Sequence, residues 1–507
     1  MHDRVSKYWL AATVVLAAIG LLFRVHGIDA HLPFIYDPDE PGFLDKAARI
    51  LRTGDLNPHW FGHPGSTIIY LGTLIMAAAG GPEAYYADPS DTVWTMRLLT
   101  ATFGAAASVA VYGVGARAFV SRPVGFGAAA IVAFLPYHAL YSRMVRTDIL
   151  AGLFVLMAVY FALRLMERRA LHYYIAAGLM IGFGVATKYP AVLAAIPVVV
   201  AHGISGQGWL REWWKLFIAG AAALVGAFIA SPYLFLDIQS TLMWISVEAG
   251  NRPPGKAGQA GWPNLAWYLS SLYRHFGAVA VVASFIGVGW AIWKRGPALV
   301  VLSFVIAFLV FLSLMNLRWE RWLLPVFPFV GVFVAAGVVL VANLAGAMIK
   351  RREYAGLCGA VLSVGIAVFL GHKLLEPRPI LPDTRTIARQ WAIENIPAGS
   401  RIILEAYTPH MPLASYEIYR FRGRKLIPAD PSLYQNFIAG GFAGQSTLEG
   451  LRSGDYIVLS SSAYGRFEGT ESWARYEEIL ASGKTVYEIS PKRGESTGPK
   501  IIILKRD

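Results

Sequence analysis

The chain has 507 residues, 56% of them hydrophobic and only 15% charged, with a mean hydropathy of +0.48. Soluble globular chains carry roughly a quarter charged residues, so these figures exclude a soluble enzyme and indicate a polytopic helical membrane protein. The net charge of +13 falls largely on Lys and Arg in short loops between apolar runs, where basic residues set orientation and meet anionic lipid, which is not the footprint of a nucleic-acid binder.

The first apolar run, about 9–28, follows His2, Arg4 and Lys7 and lacks a small-residue cleavage site, so it is expected to remain as a first span with its N-terminus in the cytoplasm. Residues 29–63 then form an external loop, and its centre is Tyr36-Asp37-Pro38-Asp39-Glu40-Pro41-Gly42-Phe43. Three carboxylates stand there ahead of Phe43, Leu44, Ala47, Ile50 and Leu51 at helical spacing. Lys46, Arg49 and Arg52 take the other face and Gly54 ends the run, which describes a short amphipathic helix lying in the headgroup plane. Acids at such an N-terminus gain from unpaired amides and the helix dipole, so capping alone is one account of them. His59 and His63 follow in the same loop.

The run 65–80 is short, and the loop after it carries Glu83, Asp88 and Asp91 but no base. The next loop, beyond a span at 93–116, carries Arg117 and Arg122. Both loops satisfy the positive-inside rule only if 65–80 does not cross, so it is expected to be juxtamembrane or re-entrant. Spans near 123–140 and 149–166 enclose an external turn, Tyr141 to Asp148, and those at 173–187 and 191–206 enclose Thr187-Lys188-Tyr189-Pro190. A span at 216–234 leads to a Gly/Pro-rich loop, an interfacial stretch at 264–276 and a span at 277–293. Spans at 297–315, 323–343 and 355–371 complete about eleven crossings, the last of them holding the only cysteine, Cys358, so no internal disulfide is available. Arg318 and Arg321, in the external loop 316–322, defy the charge rule and ask for another role.

Beyond residue 376 the composition becomes that of a soluble domain. A helix over 383–395, strands at 401–406, 456–460, 485–489 and 500–504, and a helix near 473–480 predict a small α/β domain on the outer face. The chain thus divides into a membrane domain, 1–375, and an extracytoplasmic domain, 376–507.

Under this topology the unusual polar residues share one side of the membrane: Asp37, Asp39, Glu40 and Asp148, with His59, His63, Arg143, Arg146, Lys188, Tyr189, Arg318 and Arg321. Ionisable groups near a bilayer are costly, about 2.5–3.5 kcal/mol each on insertion scales, and so mark a site. A carboxylate can take a proton from a hydroxyl, and Arg or Lys can hold a departing phosphate. Individually, Asp148 can cap its helix, Arg143, Arg146 and Lys188 can snorkel, and Trp60, Trp262, Trp319 and Trp322 form an interfacial belt.

The order of these motifs resembles the GT-C membrane glycosyltransferases, within them the branch of protein O-mannosyltransferases and lipid A aminoarabinose transferases. The residues that carry the resemblance are Asp39-Glu40 after the first span, Ser142-Arg143 followed by Asp148, Thr187-Lys188-Tyr189, and Arg321-Trp322-Leu323-Leu324-Pro325 before a late span. His63-Pro64-Gly65 departs from the pattern, where relatives often carry a lysine or proline, leaving His63, Arg146 and Lys188 as alternatives for the donor phosphate. The resemblance implies a multi-pass enzyme of the cell membrane that moves a sugar from a polyprenyl-phosphate donor to an acceptor hydroxyl, inverting the anomeric carbon in one displacement. It makes Asp39 the base and Asp148 a second acid, places Glu40 in the same acidic motif, and allows a divalent cation, Mg or Mn, on these three carboxylates. Membrane lipids are the surroundings, and the acceptor is a lipid, a polysaccharide or a protein. The competing classes are a lipid-linked oligosaccharide polymerase or ligase using a pyrophosphate donor, and a lipid or sugar transporter. A transporter calls for polar residues inside both halves of the bundle, whereas these spans are nearly charge-free.

Overall fold

A computed structural model describes residues 2–62, 65–205, 211–250, 258–375, 381–412, 414–422, 425–429, 450–470 and 473–507. The acidic stretch opens the second helix. Helix α1 (His2–Val25) is followed by α2 (Asp39–Thr53), α3 (Ser66–Ala78), α4 (Gly81–Ala87) and α5 (Ser90–Ala118). Asp39 and Glu40 occupy the first turn of α2, one residue or two earlier than the proline suggests, and Gly54 ends it in the left-handed region (φ 71°), its N–H donating to Ile50 O. Helix α3 has 13 residues, about 20 Å, which is too short for a hydrocarbon core of about 30 Å and agrees with a segment that does not cross.

Helices α6 (Arg122–Phe134) and α7 (Pro136–Tyr141) follow, then α8 (Thr147–Glu167), α9 (Leu171–Thr187), a 3₁₀ turn at Tyr189–Ala194 and α10 (Ala195–Ile204). The break between α6 and α7 has a covalent cause. Pro136 has no N–H and Leu135 is extended, so the carbonyls of Val132 and Ala133 lose their helical donors. The buried Arg24 replaces them, donating to Val132 O at 2.9 Å and Ala133 O at 2.8 Å, and to His138 Nδ1 at 3.1 Å.

The chain continues through α11 (Trp214–Ala230), α12 (Tyr233–Leu236), α13 (Ile238–Gly250), α14 (Trp262–Lys294), α15 (Ala298–Ser313), a 3₁₀ turn at Glu320–Leu323, α16 (Phe327–Met348) and α17 (Arg352–Leu375). Helix α14 is interrupted at Gly277 (φ 70°, ψ 170°), where the sequence divides an interfacial stretch from a span. Among the described residues six helices are long and apolar enough to cross a membrane, and six more apolar helices are shorter. Their packing relies on small residues. A Cβ on Gly178 or Gly182 of α9 would lie 2.1 Å from a carbonyl oxygen of α11, and one on Gly287 or Gly337 would lie 2.0 or 1.9 Å from an oxygen across the α14–α16 contact.

The C-terminal region begins with α18 (Thr384–Asn395), capped by Asp383, whose side chain accepts from the Arg385 N–H. Strands β1 (Arg401–Leu404), β2 (Glu417–Arg422), β3 (Lys425–Pro428), β4 (Tyr456–Ser460), β5 (Gly483–Ile489) and β6 (Ile501–Arg506) form one sheet in the order β3-β2-β1-β4-β6-β5, with short α19 (Ser461–Tyr464) and α20 (Trp473–Ala481) between β4 and β5. Strand β1 is parallel to both β2 and β4, and the remaining pairs are antiparallel. Ile402 and Leu404 pack with Ala388 and Ala392 of α18, while Ile403 packs with Tyr476 and Ile479 of α20, so the strand alternation buries both faces. The hairpin β2–β3 is absent from the strands expected from sequence.

Candidate active site

Asp39 leaves the start of α2 facing two arginines. Its Oδ2 accepts from Arg146 Nη1 and from Arg321 Nη1, both at 2.5 Å, while Oδ1 accepts no hydrogen bond among the described residues. Arg146, immediately before α8, is held from behind by Asp37, which takes Nη2 at 2.8 Å. Burial pushes the Asp37 carboxyl up to about 6 against the pull of Arg146. Arg321 stacks on Trp319 at 5.0 Å. Its loop is anchored by Glu320, which accepts from Ser271 Oγ at 2.5 Å and Arg274 Nη2 at 2.8 Å. The two arginines that flank Asp39 therefore arrive from distant parts of the sequence, and Asp37 backs the first of them.

Asp148 sits in the first turn of α8, makes no cap with its side chain, and instead pairs with Lys188 at the end of α9. The next residue, Tyr189, donates its hydroxyl proton to Phe61 O at 2.8 Å. Asp39, Arg146, Asp148, Lys188, Tyr189 and Arg321 all line one cavity of about 450 Å³, within the range of small-molecule sites. Phe308, Phe311, Leu312 and Met315 of α15 and its following loop give it an apolar wall. Trp319 and Trp322, expected in an interfacial belt, line this cavity instead, while Trp262 is exposed and Trp60 packs against Phe43.

The other candidates are not brought together with these. Glu40 is fully buried, pairs with Arg97 of α5 at 2.6 Å and accepts the Val145 N–H at 3.0 Å, so it braces α2 against the bundle and does not face the cavity. Arg143 donates to Phe23 O at the end of α1. His59 pairs with Asp55 at 2.7 Å and is half exposed. Arg318 lies over the Trp267 ring at 5.5 Å. His63 lies outside the described residues. The set Asp39, Glu40 and Asp148 does not fit a divalent cation. Each of the three is already engaged by Arg or Lys, Glu40 points away, and no three His, Cys, Asp or Glu side chains converge among the described residues.

Asp37 is among the acids singled out by sequence, whereas Glu320 and Arg97 escape sequence reasoning as site-building residues. The signal for Arg97 was available, since a lone arginine in an apolar helix needs a partner. The signal for Glu40 was also present: residues 40, 43, 44 and 47 share one helical face, so Glu40 falls in phase with the apolar stripe.

A family model for dolichyl-phosphate-mannose-protein mannosyltransferases matches residues 89–235. No curated protein matches the chain by sequence. Among solved structures, ArnT from Cupriavidus metallidurans in its apo state superposes with a TM-score of 0.59 at 14% identity over 98% of both chains. The same protein bound to undecaprenyl phosphate gives 0.52 at 14% identity, over 97% of this chain and 98% of that one. The oligosaccharyltransferase of Archaeoglobus fulgidus, tethered to an acceptor peptide, gives 0.52 at 14% identity over 96% of this chain and 73% of its own. The fold is that of the GT-C membrane glycosyltransferases, and the chain resembles their protein-mannosyltransferase and ArnT branch.

Proposed function

We propose that this chain is a membrane glycosyltransferase that takes a sugar from a polyprenyl-phosphate donor and passes it to an acceptor hydroxyl at the outer face of the membrane, N-terminus inside and outer domain outside. The observation that carries this reading is the shared cavity, in which Asp39 and Asp148 converge with Arg146, Lys188 and Arg321 beside an apolar wall. In a single displacement the acceptor oxygen attacks the anomeric carbon as the carbon–oxygen bond to phosphate breaks. The bonding pair leaves on the phosphate, and the acceptor proton goes to Asp39. Arg146 and Arg321 fix Oδ2 of Asp39, which leaves Oδ1 to accept that proton. Asp148 orients Lys188, and Lys188 and Arg321 receive the charge that grows on the departing phosphate.

The test is to present purified protein in liposomes with a sugar on undecaprenyl phosphate and the same sugar on undecaprenyl pyrophosphate, with a membrane extract as acceptor. Transfer from the monophosphate alone is expected. Transfer from the pyrophosphate alone would assign the cavity to a polymerase or ligase, and movement of either lipid across the membrane without transfer would assign it to a transporter.

A further inference from the structure

One residue of the cavity wall does not belong to the membrane domain. Arg466 follows α19 in the outer domain, yet it lines the same cavity as Asp39 and Asp148. The three cations of the membrane domain are each engaged by carboxylates, Arg146 by Asp37 and Asp39, Arg321 by Asp39 and Lys188 by Asp148. Glu248 lines the cavity as well. Among the described residues Arg466 has no carboxylate partner, and its guanidinium rests on the Tyr407 ring at 4.7 Å. Among the described residues it is the one cation of the cavity that makes no ion pair.

Its placement follows from the sheet. Arg466 and Tyr407 lie just beyond the carboxyl ends of β4 and β1, which are parallel neighbours, and that edge is where open α/β sheets place ligands. Tyr407 adopts φ 64°, a left-handed conformation that a tyrosine takes only where its surroundings impose it. The outer domain is also registered against the acidic stretch. Arg385 stacks on Tyr36 at 3.8 Å, Tyr36 and Thr386 share a hydrogen bond of 2.7 Å, and His410 Nε2 donates to Ile35 O at 3.2 Å. These contacts fall immediately before Asp37 and Asp39, so the position of Arg466 relative to both is fixed by the same strap.

We propose that Arg466 binds the lipid phosphate of the donor, making the outer domain part of the donor site. The proposal rests on the polyprenyl-phosphate reading given above. An arginine fork matches phosphate oxygens in pairs, and a cation not already neutralised contributes most when the phosphate gains charge as the sugar leaves.

The test is the affinity of the full-length protein in nanodiscs for undecaprenyl phosphate, with undecaprenol as the uncharged control. Arg466→Ala is expected to weaken undecaprenyl phosphate about tenfold and Arg466→Glu further, with Arg466→Lys intermediate because it keeps the charge without the fork. Undecaprenol affinity and the melting temperature without lipid are expected to stay unchanged in all three. Wild-type affinity in Arg466→Ala, beside a loss in Arg321→Ala, would overturn the assignment of Arg466 and leave the proposed function standing. A wild-type protein that binds undecaprenol as tightly as undecaprenyl phosphate would overturn both.

Discussion

Two regions of this molecule are held together by opposite means. Within the bundle, helices meet backbone to backbone at glycines and alanines, as in the α9–α11 and α14–α16 contacts. Around the cavity the helices break, at Pro136 and Gly277, and the loops between them are fastened by ion pairs, Arg146 with Asp37 and Asp39, Arg321 with Asp39, Lys188 with Asp148. The first kind of contact tolerates no added atom but needs no particular charge. The second tolerates changes of shape but not of charge. A single sequence thus separates a close-packed scaffold from a site held by charge.

That contrast can be broken most severely in the bundle. Gly337→Leu would place its Cβ within 1.9 Å of Ala283 O, and no side-chain rotation relieves a clash with backbone. Folded protein is expected to be absent by size-exclusion chromatography in detergent; a monodisperse peak at normal yield would show that α14 and α16 do not pack this way. Next comes Glu40→Gln, which leaves Arg97 buried without its counter-ion. Removing one partner of a buried pair costs about 3–5 kcal/mol, so a lower melting temperature is expected, and any loss of transfer is expected to follow the loss of folded protein. A Glu40→Gln protein of normal stability and no transfer would move Glu40 into the reaction. Lys188→Met likewise strands the buried Asp148, and beyond any loss of folded protein it is expected to reduce turnover about 10²-fold, read as kcat per folded molecule.

The smallest expected effect lies at the junction of the two domains and depends on pH. Burial holds the His410 ring down to about 4. Because the folded value lies below the unfolded one of 6.5, the neutral ring contributes fully above that pH, and stability falls as pH drops from 6.5 towards 4, by up to about 3 kcal/mol. Thermal melts of the wild type and His410→Gln between pH 7 and 4.5 are expected to diverge on acidification, the variant losing less; parallel curves would remove His410 from the strap.

Much of the scaffold was legible because apolar length and loop charge are properties of sequence. The short run at 65–80 and the division at Gly277 could both be placed from them. Strands β2 and β3 were not, since Arg420 falls in phase with the buried Tyr416 and Ile418 and breaks the apolar face. At the site, sequence order delivered Asp39, Arg146, Asp148, Lys188, Tyr189 and Arg321 to one cavity, but not which neighbour of each faces it. Arg143 and Arg146 sit in one turn and point to different partners, Phe23 O and Asp37 with Asp39, because the turn reverses the chain between them. The outer domain offered no motif, and its contacts with Tyr36 and the cavity exist only in three dimensions.

The account stands or falls on Asp39. In liposomes supplied with a sugar on undecaprenyl phosphate, the measurement is the transfer rate of Asp39→Asn against wild type, with undecaprenyl phosphate affinity determined on the same preparations. The variant is expected to bind the lipid within a few-fold of wild type and to transfer about 10²- to 10⁴-fold more slowly. A variant that transfers at the wild-type rate would contradict the role of this carboxylate as the base, and with it the chemistry assigned to the cavity.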